Sequence, residues 1–142
     1  MPVSNLFAVV LALLTIAAET QAEPATTQPA APLLGTRWTI VEVEGQPALP
    51  AERGAAYLEF SAEQTRYSGS GGINRIGGAY TLDGKSLKLG DAFSTMMAGP
   101  EPLMQQERKI LQALGKVDAF EIVGDKLHLL AGDEVVLRLQ AK

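Results

Sequence analysis

The residue types that do chemistry are few in this chain, and their scarcity narrows what it can catalyse. There is no cysteine and one histidine in 142 residues. Disulfide scaffolds, thiolate zinc sites, thiol nucleophiles and iron–sulfur clusters are therefore excluded, and so is a multi-histidine metal centre. Ser70 and Ser94 are candidate nucleophiles, but a serine needs an activating base and an orienting third group. His128 is the one imidazole available, and it stands between Leu127 and Leu129 in an alternating run, which points it outward from a strand. The residues around Ser70 do not form G-x-S-x-G, because Ser68 takes the first glycine position.

Two further features invite a chemical reading. Ser68–Gly72 (SGSGG) resembles the start of a phosphate-binding loop. Asn74 stands where the third glycine of a dinucleotide fingerprint belongs, no long helix follows, and no P-loop lysine is present. The segment reads as a turn. Glu107 falls near the apolar stripe of an amphipathic helix, where a carboxylate must be paired, protonated or at the edge. As a general acid it needs a second polar group within reach. As a structural group it would accept hydrogen bonds from loop backbone or from Asn74, Arg75 or Thr95, and this reading is preferred. No metal or cofactor site is expected.

The elements that position these residues follow from patterning. Arg37–Glu44 is rich in β-branched residues, with Trp38 and Ile40 on one side and Thr39, Val41 and Val43 on the other. Short strands are expected over 56–60, 64–68, 78–82, 86–89, 119–123, 126–130 and 135–139, with 93–97 a strand or a tight loop. SGSGG is expected to interrupt regular structure. Asp83-Gly84, Gly124-Asp125 and Gly132-Asp133 are hairpin signals. The spacing predicts one helix over 103–117, with Pro102 as its first residue. Leu103, Met104, Ile110, Leu111, Leu114 and Val117 form its apolar stripe, and Gln105, Gln106, Arg108, Lys109 and Gln112 its polar face. Met96, Met97 and Met104 are expected to fill core gaps. The sum is a mainly β (α+β) domain: a curved antiparallel sheet or partly closed barrel of about eight short strands, with one helix packed on it.

The N-terminus carries a different signal. Leu6–Ala18 holds thirteen uncharged residues, too few for a spanning helix of roughly 20 but suited to the apolar core of a secretory signal. Small residues at Thr20 and Ala22 place cleavage after Ala22. That leaves 120 residues and, with Glu19 gone, moves the net charge from −4 to −3. The mean hydropathy of +0.09 owes much to this run. Glu23–Pro32 (EPATTQPAAP) reads as an extended tether, and the domain is expected over 33–142. The mild acidic balance argues against a nucleic-acid partner.

Several segments in order resemble one family. They are Gly35-Thr36-Arg37-Trp38, Ser68–Arg75, Gly78-Ala79-Tyr80, and Ser94–Ala98 followed by Glu107 and Leu114. Together they are similar to the META domain family. The resemblance implies a compact antiparallel β fold with one helix, a bacterial envelope or secreted location, no established enzymatic activity, and links to heat shock, drug resistance and, in trypanosomatid parasites, virulence. Trp38, Tyr80 and Glu107 take structural places in it. The family pattern commonly has cysteines where this chain has Ile73 and Gly99, so the two loops are expected to be neighbours. The working reading is a non-enzymatic periplasmic or secreted protein that acts by binding in envelope maintenance or stress tolerance. Its partner would be an envelope protein or a small ligand, with no stable membrane anchor once the signal is cleaved. The expected surface comprises Gly69, Ser70, Gly71, Gly72, Asn74, Arg75, Thr95 and Met97. The alternatives are a barrel-type binder of a small apolar or amphipathic ligand, with Met97 and Met104 near a cavity mouth, and a hydrolase using Glu107.

Overall fold

A computed structural model describes residues 30–51 and 53–142. The signal expected over 1–22 and most of the tether lie outside them. Ala31 already belongs to the domain: its N–H donates to the Gly124 carbonyl at 2.9 Å, and its side chain packs on the core.

Alternation and turn chemistry give ten strands: β1 (Arg37–Val43), β2 (Gln46–Pro47), β3 (Tyr57–Phe60), β4 (Arg66–Ser70), β5 (Arg75–Asp83), β6 (Ser86–Leu89), β7 (Phe93–Ser94), β8 (Ala119–Val123), β9 (Lys126–Ala131) and β10 (Glu134–Ala141). One helix, α1 (Glu101–Leu114), lies between β7 and β8. Neighbouring strands run antiparallel in the order β10-β9-β8-β6-β5-β4-β3-β1, and β10 pairs again with β1. Eight strands thus form a ring-like sheet, with β2 and β7 as short additions beside β1 and β5. The β6–β8 seam is the thinnest, with Ser86 opposite Ala119. The tight hairpins fall at Gly45, Gly84, Gly124 and Gly132, each at positive φ.

Trp38, Leu58, Phe60, Tyr67, Ile76, Leu87, Leu127, Leu129 and Leu137 are almost fully buried. Burying each large apolar side chain is worth about 1.5–3 kcal/mol before entropy is counted. Trp38 donates its indole N–H to the Leu33 carbonyl at 3.0 Å, and Tyr80 its hydroxyl to Ser61 O at 2.5 Å. Ile110, Ala113 and Leu114 of α1 join the same core, and the helix leans on β1 and β10.

Four sequence expectations are corrected. Val43 lies inside with Trp38 and Ile40, because a register shift between Ile40 and Glu42 reverses the alternation. Ser68, Gly69 and Ser70 do not interrupt structure but complete β4, paired with β3 on one side and β5 on the other. Glycine is needed at 69, since a β-carbon there would fall on the Tyr57 carbonyl oxygen. The helix starts one residue earlier, at Glu101, with Pro102 second, and ends at Leu114, with Gly115 as its cap and Val117 buried beyond it. Met96 and Met97 are not core: they are 98% and 44% exposed, on the segment that approaches α1 outside the ring.

Candidate functional site

The β4–β5 turn (71–74), the segment 95–100 and the N-terminal half of α1 meet at one end of the ring, and Glu107 ties them together. It is 5% exposed and occupied on both oxygens. Oε2 accepts the backbone N–H of Ile73 at 3.1 Å and of Asn74 at 2.8 Å. Oε1 accepts the Asn74 side-chain amide at 2.5 Å. Gly71 must be small, because a β-carbon there would sit 2.7 Å from Oε2.

Asn74 passes the connection on. Its Nδ2 also donates to the Met97 carbonyl at 3.1 Å. Its Oδ1 accepts the Met97 N–H at 2.6 Å and the Thr95 hydroxyl at 2.8 Å. Thr95 Oγ1 in turn accepts the Arg75 N–H at 3.1 Å. Donors and acceptors are matched on both sides of the amide, so this side chain fixes two loops on one helix. A buried network in which every member is satisfied is rigid.

Gln106, the neighbour of Glu107, clamps a third segment. It was expected on the polar face of the helix. It is instead 7% exposed, with Oε1 accepting the Leu49 N–H at 2.7 Å. The buried face of α1 is therefore polar in its first half and apolar in its second.

These three clamps frame two adjoining cavities on the rim. One, of about 490 Å³, lies among Leu49, Pro50, Ala98, Pro100 and Leu103. The other, of about 520 Å³, lies among Tyr57, Ser70, Arg75, Thr95 and Met97. Arg53 and Ile73 line both. Arg37, Arg108 and Arg138 each sit on a carboxylate. Arg53, Arg66 and Arg75 have no such partner among the described residues, and two of these, Arg53 and Arg75, line the cavities.

Of the residues expected to form a surface, Gly71, Gly72, Asn74, Thr95 and Met97 come together with Glu107, and Ser70, Arg75, Thr95 and Met97 share the second cavity. Gly69 is buried within β4, away from both cavities. Trp38 and Tyr80 lie in the core. Leu49, Pro50, Arg53, Gln106 and Leu103 were not anticipated. The core side chains pack inside the ring, and the two cavities described here lie on its rim, with Met97 lining the second. His128 faces out from β9, with Nδ1 3.1 Å from Glu121 and Nε2 3.3 Å from Arg138. Ser94 donates its hydroxyl to Thr95 O at 2.9 Å.

A closed antiparallel sheet with one helix, locked at its rim by a carboxylate–asparagine pair, defines a small single-helix β domain. The chain belongs to the META domain family, whose pattern matches residues 31–142. No curated protein matches the chain. Two solved structures share the fold. A protein from Burkholderia xenovorans determined by NMR is 25% identical, with a TM-score of 0.60 over 78% of this chain and 83% of its own. A second NMR structure is 22% identical, with a TM-score of 0.59 over 74% of this chain and 87% of its own.

Proposed function

We propose that the protein is a non-enzymatic binding protein of the bacterial envelope or its exterior, serving envelope maintenance or stress tolerance. The observation that carries the binding reading is the pair of rim cavities. They are built on loops that Glu107, Asn74 and Gln106 hold rigid, which is how recognition surfaces are commonly mounted on a sheet. The apolar run Leu6–Ala18 supports export.

The chemistry of the site argues against hydrolysis. Both Glu107 oxygens already accept hydrogen bonds inside the domain, three in all, and the side chain is 5% exposed, so the carboxylate is committed to holding the β4–β5 turn. His128 is engaged on the outer face of the sheet with Glu121 and Arg138.

Native mass spectrometry tests the binding reading. The wild-type chain is incubated with bacterial envelope extract beside an Ala98→Trp variant, whose indole would fill the first cavity. A retained noncovalent mass that the variant loses is the expected result. A wild-type chain that retains nothing overturns the reading.

A further inference from the structure

The two cavities differ in chemistry, and the difference identifies what they would hold. The first offers little polar recognition. Pro50, Pro100 and Pro102 have no N–H to give. The N–H groups of Leu49, Gly72, Ile73 and Leu103 are already bonded, to Gln106 Oε1, Ser70 Oγ, Glu107 Oε2 and Pro100 O. Seven of its ten described lining residues thus have no backbone donor for an incoming peptide. Recognition of an extended peptide depends on such donors. Recognition of an alkyl chain needs only the apolar walls that Leu49, Ile73, Ala98 and Leu103 supply.

The second cavity is cationic and rich in hydroxyl groups. Arg75 lines it with Ser70, Tyr57 and Thr95, and Arg53 stands where the two cavities join. No described lining residue of either cavity is acidic, in a chain whose net charge is −4. A guanidinium fork without a carboxylate partner among the described residues matches a carboxylate in both charge and geometry.

We propose that the two cavities form one site for a single-chain amphiphile with a carboxylate head, a fatty acid in chemical class. The tail lies along Leu49, Ile73 and Leu103, and the head pairs with Arg53 and Arg75. The proposal rests on the binding reading above and names the ligand for the same site.

Calorimetric titration of the full chain tests it, with dodecanoate and dodecyltrimethylammonium below their micellar concentrations, dodecanol below its solubility limit, and a four-residue apolar peptide with a free C-terminus. The N-terminal apolar run is common to every variant and cancels in the comparison. Dodecanoate is expected to bind at least tenfold more tightly than either of the other two amphiphiles. Arg53→Gln/Arg75→Gln should weaken dodecanoate at least tenfold and leave dodecanol unchanged. Ala98→Trp should weaken both. Thermal melting verifies that the variants are folded. Dodecanoate binding that survives the double arginine change overturns the carboxylate assignment, as does equal binding of the cationic amphiphile. Tighter binding of the peptide overturns it in favour of a peptide terminus. If the envelope extract supplies a mass that Ala98→Trp loses while dodecanoate fails, the binding reading stands and the fatty-acid assignment falls.

Discussion

Ile73 occupies the space that a side chain at Gly99 would need. A β-carbon built on Gly99 lies 2.6 Å from Ile73 Cδ1 and 3.0 Å from Cγ1. The β4–β5 turn and the segment before α1 are therefore in direct contact, as expected from two positions where the family pattern commonly has cysteines. The Ile73 side chain fills the space that the glycine at 99 leaves open.

That complementarity can be tested in both directions. Gly99→Ala must displace the Ile73 side chain from its present rotamer and should destabilise by about 1 kcal/mol, and Ile73→Ala combined with Gly99→Ala should recover part of the loss. Urea unfolding of the double-mutant cycle measures the coupling, and strictly additive effects would contradict the contact. In Ile73→Cys/Gly99→Cys, the Cγ1 distance plus one bond puts the two β-carbons within about 4.5 Å, inside disulfide range. Oxidation should remove both free thiols from titration without forming dimers.

The Asn74–Glu107 pair predicts a rescue. Glu107→Gln keeps one oxygen for the two backbone N–H groups but sets its amide against the Asn74 amide, donor against donor. The expected loss is about 1–3 kcal/mol. Asn74→Asp is worse, at about 3–5 kcal/mol, because it buries two carboxylates in contact. Combining Asn74→Asp with Glu107→Gln restores a donor facing an acceptor. The double variant should unfold at higher urea than Asn74→Asp alone, and a double variant no more stable than that single change would refute the assigned polarity.

Gln106 predicts a local rather than a global effect. Gln106→Leu removes the acceptor for the Leu49 N–H, so the segment 48–51 should open more readily. Native-state hydrogen exchange at Leu49 should speed up at least tenfold, while amides in β9 and β10 change little. An unchanged Leu49 exchange rate would contradict the clamp.

Much of this was legible in the sequence, and what was missed shares one physical cause. Alternation located the outer strands, and Asp83-Gly84, Gly124-Asp125 and Gly132-Asp133 located their hairpins, because turn chemistry is local. Glu107 drew attention because a carboxylate interrupting an apolar stripe must be compensated nearby. Gln106 did not, since an uncharged amide looks at home on a solvated face and its partner Leu49 is 57 residues away. Ser68–Ser70 has weak strand propensity and pairs only because β3 and β5 flank it. The bulge at Val41 and the convergence of Arg53 with Arg75 likewise depend on pairing across the ring, which no window of sequence contains.

Two core tyrosines separate the value of a satisfied hydroxyl from that of an unsatisfied one. Tyr80 donates to Ser61 O, and its ring meets Phe60 edge-on at 5.6 Å. The Tyr67 hydroxyl is buried and has no partner among the described residues. Tyr80→Phe should therefore lose about 1 kcal/mol, whereas Tyr67→Phe should be neutral or stabilising. Burial also raises the Tyr67 phenol above its ordinary value of 10.0. A raised folded-state value means that the unfolded chain ionises first. Ionisation of Tyr67 therefore costs nothing below the unfolded value, and stability falls as pH climbs from there through the folded one. Urea unfolding at pH 7 and above pH 10 should show Tyr67→Phe gaining on the wild type at the higher pH. A Tyr67→Phe variant that is markedly less stable at neutral pH would show that the hydroxyl has a partner after all.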